Sequence, residues 1–515
     1  MSRNRRRHVS WLAVLVAISS WSYLSIWSAS AEVNVLERFY LDHYLLWAGS
    51  LTAVGLVVVG VARLIHNTGS MDRAYAAAVV AVFLIQTWSV FGPVHTWASG
   101  WIGTVSSIAS ITALWTLIVV LAHRTAERPS VLSLFWVVAA FLVGLTTFHA
   151  LTFVVSSPDA PEPAALTVAD VIANSPDVYV VVLDGYGRSD VLMEDLEFDN
   201  SGVAEGLARA GVIVLDSALS NYSSTPLSVA SLLDGDYPFL EGDLTDENRL
   251  ALQAIHAGDN HLFRTLKAAG YETHLFDNAW TFTQCGANVD RCHRTALWTE
   301  LDYSVARLTP LLDLVPSLRI NPWTRVSVDQ LQAMKELATT PSDSPRVAFL
   351  HALIPHPPFH LDANCAEFAD PSLEGYSFIG GTQKTNGLRL AAYVEQLQCV
   401  NRIVTDLANA IPPDAIILIT ADHGPTFRDG DPNRPATWTP KNLIGRFGVF
   451  MAGRLPLQCQ PFHADSTVVS ASRQIIDCVT ETTQPSSSPA LHYIWSESEG
   501  QQWVTEVTDI LRSDR

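Results

Sequence analysis

The sequence is poor in lysine and cysteine, and both residues are unevenly distributed along it. The chain of 515 residues contains four Lys against 28 Arg, and residues 1–150 contain neither Lys nor Cys. That first part has nine Arg and five acidic residues, so residues 151–515 carry a net charge of −23 within the total of −19. A surface this acidic repels phosphate backbones, which argues against nucleic acid as a partner.

Charged residues are almost absent from five long apolar stretches in the first part. These stretches approach or exceed the roughly 20 apolar residues that span a bilayer, and they lie near 9–28, 43–65, 74–92, 101–122 and 131–154. A signal peptide accounts for the first stretch alone, but no convincing cleavage site follows it. We therefore expect a helical membrane domain of about five spans over residues 1–155.

The basic residues predict the orientation of these spans. Arg residues precede the first stretch and occupy the loops after the second and fourth, whereas the opposite loops contain only Arg38. Since basic loops stay in the cytoplasm, the N-terminus is predicted to be cytoplasmic and the acidic C-terminal part external. The expected location is the cytoplasmic membrane, with multi-pass anchoring, and the scarcity of Lys indicates a bacterial source with a GC-rich genome.

All six cysteines fall in the external part, and no two of them form a CxxC pair. An even number of cysteines on the oxidising side of a membrane indicates disulfides rather than a structural zinc knuckle. The sequence alone leaves the connectivity of six cysteines open. Their order along the chain suggests three pairs, Cys285–Cys292, Cys365–Cys399 and Cys459–Cys478.

The external part alternates short apolar runs with helical patterns. After a Pro- and Ala-rich linker at 156–177, strand-like runs begin at 178 and recur at 211–217, 272–278, 346–354, 415–424 and 447–453. This alternation is typical of an α/β domain with a mostly parallel sheet covered by helices on both faces. We expect that domain over residues 178–480, followed by a tail over 481–515 with a final helix at 500–512.

Polar residues collect where the predicted strands end. Asp184 ends the first run, Asp422 and His423 follow the run IILIT, His356 follows FLHALI, and Thr225 begins a helix. Ligands gather beyond the carboxyl ends of parallel strands, so we expect these side chains to lie close together. Each has a plainer interpretation, because an Asp at a strand end commonly forms a turn and a Thr before Pro commonly caps a helix.

Two carboxylates, one imidazole and one hydroxyl can surround a divalent ion such as zinc or manganese. The predicted ligands of one such ion are Asp184, Thr225, Asp422 and His423, and a second ion is left open. The ion would lower the pKa of the hydroxyl and make Thr225 a nucleophile at neutral pH. A helix N-terminus at the same point favours an incoming phosphate.

The motifs VVVLDGYG, TPLSVASLLDG, HPPF and TADHG, in this order, resemble the alkaline phosphatase superfamily. The branch most similar in layout is that of sulfatase-like membrane enzymes, including lipoteichoic acid synthases and lipid A phosphoethanolamine transferases. They also have about five spans before an external catalytic domain. The resemblance implies metal ligation by Asp184, Asp422 and His423. It also implies that Thr225 is the nucleophile and that His356 contacts the substrate phosphate or leaving group.

The resemblance covers roughly residues 175–480, and it has departures. Sulfatases that use formylglycine carry Cys or Ser followed by x-P-x-R, whereas this chain has Thr225 in that place and Val229 where the arginine stands. These departures disfavour a sulfuric-ester hydrolase and favour phosphoryl chemistry. Structural roles are expected for His351 and Asp277.

The sequence favours a membrane-anchored, metal-dependent phosphotransferase. It would move a phosphate-linked headgroup from a membrane phospholipid, through Thr225, to an envelope glycan or lipid. With water as the acceptor, the same site gives a phosphodiesterase or phosphatase, and the sequence does not decide between them. A non-catalytic envelope scaffold is a third interpretation, which the intact set of predicted ligands argues against.

Overall fold

A computed structural model describes most of the chain, namely residues 3–33, 41–65, 71–88, 104–126, 128–156, 175–278, 280, 283–295, 298–315, 322–367, 383–425, 427, 437–480, 490–498 and 501–512. The chain divides into two compact units. The helical unit comprises Met1–Pro158 together with Trp298–Ile320, and the α/β unit comprises Asp159–Leu297 together with Asn321–Arg515. Most of the predicted linker, residues 157–174, lies outside the described residues. The domain boundaries expected from the sequence stay predictions.

The helical unit is built from long apolar helices. Its elements are α1 (Arg3–Val33), α2 (Leu41–Ile65), α3 (Met71–Gln86), α4 (Thr104–Thr125), α5 (Pro129–Ser156), α11 (Glu300–Arg307) and α12 (Leu311–Leu314). Side chains of α1, α2, α3 and α5 form its main core, in which Trp11, Leu15 and Val82 are fully buried.

Five membrane spans are not confirmed. Among the described residues, two helices are long and apolar enough to cross a membrane, His8–Trp27 and Leu41–Leu64. Helix α3 has only 16 residues, fewer than the roughly 20 that a bilayer requires. The described apolar parts of the last two predicted spans, Leu114–Thr125 and Ser130–Gly144, are also shorter than that. The coarser expectation of apolar N-terminal helices is confirmed, and multi-pass anchoring is not.

The α/β unit contains a seven-stranded mixed sheet. Its strands are β1 (Val178–Leu183), β2 (Ile213–Val214), β4 (Glu272–Asp277), β5 (Arg291–Arg294), β6 (Arg346–Ala352), β7 (Ile416–Ala421) and β8 (Met451–Arg454), in the order β2-β8-β7-β1-β6-β4-β5. Every residue of β1, β6 and β7 is buried, so both faces of the centre are covered. Runs of Val, Ile and Leu are what such doubly covered strands require.

One strand runs against the others, so the expected mostly parallel sheet is mixed. Strand β8 is antiparallel to β7 on one side and to β2 on the other. At the carboxyl edge of the sheet, the amide of Gly424, shortly after β7, donates to the carbonyl of Arg446, shortly before β8, at 2.7 Å. A strand that starts at the edge where its neighbour ends runs in the opposite direction to that neighbour.

The remaining helices of the α/β unit are α6 (Ser189–Leu196), α7 (Ser201–Arg209), α8 (Thr225–Asp234), α9 (Asp246–His256), α10 (His261–Ala268), α13 (Pro322–Thr339), α14 (Gln383–Ala410), α15 (Pro440–Phe447), α16 (Val468–Thr480) and α17 (Thr508–Arg512). Three disulfides cross-link this unit, and they are the three that chain order suggests: Cys285–Cys292, Cys365–Cys399 and Cys459–Cys478.

The C-terminal tail contributes to a second, three-stranded sheet in the order β3-β10-β9, with β3 at Gly242–Asp243, β9 at Tyr493–Ser498 and β10 at Gln501–Glu506. The predicted helix at 500–512 is therefore wrong over its first half, and only α17 is helical. The aromatic and β-branched residues at the centre of QQWVTE favour a strand, and β10 pairs with β9 along its whole length.

Candidate metal centre and active site

The acidic residues of the site stand at the ends of neighbouring strands. Strands β1 and β7 pair in parallel with Leu183 opposite Ala421, so Asp184 and Asp422 leave the sheet side by side. A left-handed turn at Gly185 (φ +74°) directs its amide to Asp422, which accepts the hydrogen bond through Oδ1 at 3.0 Å. Asp422 is buried, and its Oδ2 has no hydrogen-bond partner among the described residues.

His423 presents one particular ring nitrogen to these carboxylates. Its Nδ1 lies 3.0 Å from the carbonyl oxygen of Gly424. Because a carbonyl only accepts, Nδ1 carries the proton and Nε2 keeps its lone pair. This Nε2 lies 3.3 Å from Asp422 Oδ2 and 3.7 Å from Asp184 Oδ1. A backbone carbonyl commonly holds a metal-binding histidine in this tautomer.

Thr225 is the first residue of α8, and its hydroxyl does not cap the helix. Ser224 occupies the cap position without a side-chain cap bond, whereas Thr225 Oγ1 lies 3.1 Å from Nε2 of His423. The plain helix-cap interpretation is therefore wrong, because the hydroxyl is directed to the imidazole and not to an amide of the first turn. The N-terminal end of α8 is also the positive end of its dipole, which favours an anion.

A second histidine reaches the same carboxylates from strand β6. His351 is fully buried, its Nε2 lies 3.6 Å from Asp184 Oδ2, and that nitrogen has no hydrogen-bond partner within the described ranges. Thr283 Oγ1 lies 3.4 Å from Nδ1 and can accept its proton. A structural role for His351 is expected from the sequence, whereas the structure places it beside the acidic residues. The available signal was an imidazole inside an otherwise apolar strand, since a buried polar group needs a partner.

Asp184, His351 and Asp422 have the donor set of a metal site. One ligand atom from each lies within 4.8 Å of the others. Asp184 Oδ1, His351 Nε2 and Asp422 Oδ2 are buried without a hydrogen-bond partner in the described structure, which is costly unless another group pairs with them. Carboxylate oxygens and imidazole nitrogen suit zinc-like or manganese-like cations. A divalent metal therefore fits these residues.

The local charges keep the ligand atoms in the protonation states that a metal needs. Burial raises the pKa of Asp184, but the neighbouring imidazoles, His356 foremost, outweigh it and hold that pKa well below its usual range. Burial and the charge of Arg446 hold the pKa of His423 below its ordinary value. Metal ligation requires an ionised carboxylate and a neutral imidazole, which these shifts favour.

Two buried hydroxyls hold the backbone of Asp422. Ser220 and Ser228 both donate to its carbonyl oxygen, at 2.5 and 2.6 Å. Ser228 lies one turn after Thr225 on α8, so the helix that carries the threonine is also bonded to the residue that carries the carboxylate. The spacing TPLS therefore serves the geometry of the site.

Arg446 joins two backbone segments of the site from helix α15. Its Nε donates to the carbonyl of Ser223 at 2.8 Å, and its Nη1 donates to the carbonyl of Gly424 at 3.2 Å. Gly424 has no room for a side chain, because a Cβ would lie 2.2 Å from the carbonyl oxygen of Gly445. The glycine of the TADHG motif thus lets α15 approach the end of β7. Nothing in the sequence near position 446 indicated this role.

His256 holds the start of α8 from another direction. Its Nε2 lies 2.8 Å from the carbonyl oxygen of Pro226, the second residue of that helix. The imidazole is fully buried, and burial lowers its pKa to about 3. It is therefore a neutral donor at neutral pH, bonded one residue away from Thr225.

The two remaining predicted residues lie in different surroundings. His356 is half-buried, its ring centroid lies 6.4 Å from that of His423, and its Nδ1 lies 2.6 Å from the carbonyl of Pro357. Asp277 is buried at the end of β4 and pairs with Arg294 at 3.1 Å. The ion pair with Arg294 fits the structural role expected for Asp277. The two cysteines beside Asp277 form a disulfide, so they offer no thiolate to a metal.

The fold and the cluster at the carboxyl edge of its sheet define an enzyme of the alkaline phosphatase superfamily. The family model named Sulfatase matches residues 176–465, more than half of the chain. The chain belongs to the sulfatase family. No curated protein matches it.

Several solved structures are similar to the chain. The C-terminal periplasmic domain of EcEptC from Escherichia coli is 12 % identical, with a TM-score of 0.44, over 68 % of this chain and 99 % of that one. A zinc complex of the same domain gives the same identity and TM-score over 64 % and 93 %. The integral membrane lipooligosaccharide phosphoethanolamine transferase A (EptA) from Neisseria meningitidis is 13 % identical, with a TM-score of 0.37, over 92 % and 99 %. At these identities and TM-scores, the likenesses add nothing to the family assignment.

Proposed function

We propose that the chain is a membrane-anchored, metal-dependent phosphotransferase with Thr225 as its nucleophile. The observation that carries the proposal is the position of Thr225 Oγ1, 3.1 Å from His423 Nε2. That nitrogen faces buried carboxylate oxygens that have no hydrogen-bond donor among the described residues. A hydroxyl directed towards potential metal ligands supports a nucleophilic role for Thr225.

The proposed metal ligands are Asp184, Thr225, Asp422 and His423, with His351 as an additional donor beside them. A divalent ion bound there, zinc or manganese, would stabilise the ionised hydroxyl and neutralise charge on a phosphate. The N-terminal end of α8 favours that phosphate at the same point.

The proposed reaction has two displacements at phosphorus. Thr225 Oγ1, having lost its proton to solvent, forms a bond to phosphorus while the bond from phosphorus to the lipid oxygen breaks. That leaving oxygen takes a proton from His356 Nε2. In the second step the acceptor hydroxyl gives its proton back to His356 and attacks phosphorus, and the Thr225 oxygen leaves.

The cysteines and the motif favour phosphoryl over sulfuryl chemistry. Formylglycine formation would need a Cys or Ser in the position of Thr225, and all six cysteines are paired in disulfides. Val229 stands where the sulfatase pattern has arginine. The anchor is supported by the two helices long and apolar enough to cross a membrane, which would hold the site near a phospholipid donor.

The test is the mass of the peptide that contains Thr225. The purified full-length chain is incubated with phosphatidylethanolamine and phosphatidylglycerol and then digested. We expect a phosphate-linked headgroup on Thr225, and its mass identifies the donor. The adduct should be absent in Thr225→Ala and retained in the control Ser224→Ala, whose side chain makes no cap bond. An unmodified Thr225 peptide in metal-loaded protein that turns over lipid rejects the covalent mechanism.

The acceptor follows from the products of the same reaction. Release of a free phosphorylated headgroup alone would identify water as the acceptor and make the chain a phosphodiesterase. Transfer to an added glycan or lipid hydroxyl identifies the transferase.

A further inference from the structure

A segment in the middle of the α/β sequence belongs to the helical unit. Residues Trp298–Ile320 follow β5 and precede α13, yet they form one compact unit with Met1–Pro158. They include helix α11, which contacts α1. The chain therefore passes between the two units at 297/298 and at 320/321, in addition to the passage at 158/159.

Asp302 is the polar anchor of this segment. It is 1 % exposed, and its carboxylate accepts hydrogen bonds from Trp47 Nε1 at 2.7 Å, from His43 Nδ1, and from the backbone amide of Thr299 at 2.8 Å. Burying a carboxylate is costly unless donors surround it. Two of these donors come from α2, so the anchor is complete only when the segment lies on that helix.

Apolar and aromatic contacts surround the anchor. Leu301 and Val305 of α11 are buried with Tyr23 of α1. The rings of Trp47 and Trp298 meet edge to face with centroids 5.8 Å apart. Ile26, Trp27 and Tyr44 pack against the same cluster. The contact is thus a small core of its own.

The contacted end of the helical unit has the composition of a membrane interface. Tyr23, Trp27, Tyr44 and Trp47 lie together where α1 ends and α2 begins, and Ser20 Oγ lies 2.9 Å from the Tyr44 hydroxyl. Trp and Tyr are enriched where lipid headgroups meet hydrocarbon. The four Arg that precede the first span lie at the opposite end of α1, so the aromatic end is the predicted external one.

We propose that residues 298–312, which interrupt the sequence of the α/β unit, are a docking segment that binds the external ends of α1 and α2, at the level of the phospholipid headgroups. A docked segment adds a second constraint to the covalent connection at 158/159, so the catalytic site can move less far from the membrane surface. This raises the effective concentration of membrane-embedded substrate at the site. This consequence rests on the proposed phosphotransfer. The docking of the segment does not depend on the proposed phosphotransfer.

The experiment compares two substrates in the full-length protein, embedded in nanodiscs of phosphatidylethanolamine and phosphatidylglycerol. One activity is the release of diacylglycerol from the nanodisc lipid, and the other is the cleavage of soluble bis(4-nitrophenyl) phosphate. Asp302→Asn removes the charge at nearly constant volume, and Trp47→Phe removes only the indole donor. The matched control is Asp329→Asn on α13, where the carboxylate is exposed and pairs with Arg325 at 3.4 Å.

We expect the ratio of lipid to soluble turnover to fall about tenfold in Asp302→Asn and less in Trp47→Phe, with soluble turnover unchanged. Asp329→Asn should keep the wild-type ratio. Hydrogen exchange at the amides of α11 should accelerate in both docking variants while exchange in β1 and β7 stays slow, which separates undocking from global unfolding.

An unchanged ratio together with unchanged protection of α11 in Asp302→Asn overturns the docking segment. Equal loss of both activities with faster exchange in β1 also overturns it, because Asp302 would then serve general stability. If the wild-type protein cleaves neither substrate, the proposed function fails. In that case the rate of hydrogen exchange at the amides of α11 still shows whether the segment docks.

Discussion

The guanidinium of Arg446 donates to the carbonyl oxygen of Ser223 at 2.8 Å, two residues before the threonine of the site. The same side chain donates to Gly424, which follows His423. One arginine thus fixes the distance between the backbone that carries Thr225 and the backbone that carries a predicted metal ligand.

Replacing Arg446 should slow the reaction more than it weakens substrate binding. Arg446→Met removes both bonds, and we expect kcat for a phosphodiester to fall about a hundredfold, because small displacements of reacting groups are costly. Arg446→Lys keeps the charge but cannot bond both carbonyls, so it should recover only part of the rate. The control is Arg291→Met, an exposed arginine that pairs with Glu272. A wild-type kcat in Arg446→Met would show that Arg446 does not position the reacting groups.

Thr225→Ala should separate catalysis from folding. A true helix cap would cost about 0.5–2 kcal/mol of unfolding free energy when replaced by Ala, but this hydroxyl makes no cap bond. We therefore expect a smaller change in stability and a loss of turnover by several orders of magnitude. Thr225→Ser should retain part of the rate. Matched measurements of unfolding and turnover decide, and near-normal turnover in Thr225→Ala would contradict the nucleophile.

Gly424→Ala should destabilise the α/β unit strongly. The added Cβ would lie 2.2 Å from the carbonyl oxygen of Gly445, so α15 must move away from the end of β7. We expect a loss of about 3 kcal/mol or more in unfolding free energy. Gly202→Ala on α7 is the control, since a Cβ there meets nothing within 4 Å, and it should be neutral or slightly stabilising. Similar denaturation midpoints for the two variants would show that the site tolerates the shift.

Removing the metal should lower stability as well as activity. Buried carboxylates and imidazoles without donors favour unfolding once the cation is gone, and a ligand at a hundred times its dissociation constant contributes about 2.7 kcal/mol. We expect a chelator to lower the melting temperature and zinc or manganese to restore it. Asp422→Ala should show neither response. A chelator-insensitive wild-type protein with full activity would exclude the metal.

Acid should destabilise the α/β unit partly through His256. Burial lowers the pKa of His256 to about 3 in the folded chain, whereas an unfolded histidine titrates near 6.5. Between these values the unfolded state binds the extra proton, so stability falls as the pH falls, by about 1.4 kcal/mol per pH unit. His256→Gln keeps a donor for Pro226 but does not titrate. Its unfolding free energy should vary less with pH between 6 and 4, and an identical slope would place the acid sensitivity elsewhere.

The parts of the fold that depend on local pattern were predictable. The Val- and Ile-rich runs before Asp184 and Asp422 form the buried central strands β1 and β7, because such runs suit strands covered on both faces. Strand β5 was missed, since its residues RCHR are mostly exposed on the sheet edge and show no apolar signal. The antiparallel direction of β8 has no signal in its local sequence pattern.

The candidate site shows the same division. Residues at strand ends and helix starts could be placed together, because parallel strands bring their carboxyl ends to one edge. His351 lies within β6, and Arg446 and His256 act from helices distant in sequence through bonds to backbone carbonyls. A carbonyl acceptor is present at every residue, so the sequence carries no mark of which one a side chain binds.

The three disulfides constrain the order of steps in the biogenesis of the protein. Each joins cysteines of the α/β unit, and together they cross-link segments from Cys285 to Cys478. A compartment that keeps thiols reduced cannot supply these bonds. The polypeptide therefore reaches its mature covalent form only where its thiols can be oxidised, so folding and thiol oxidation are separate steps at which its biogenesis can fail.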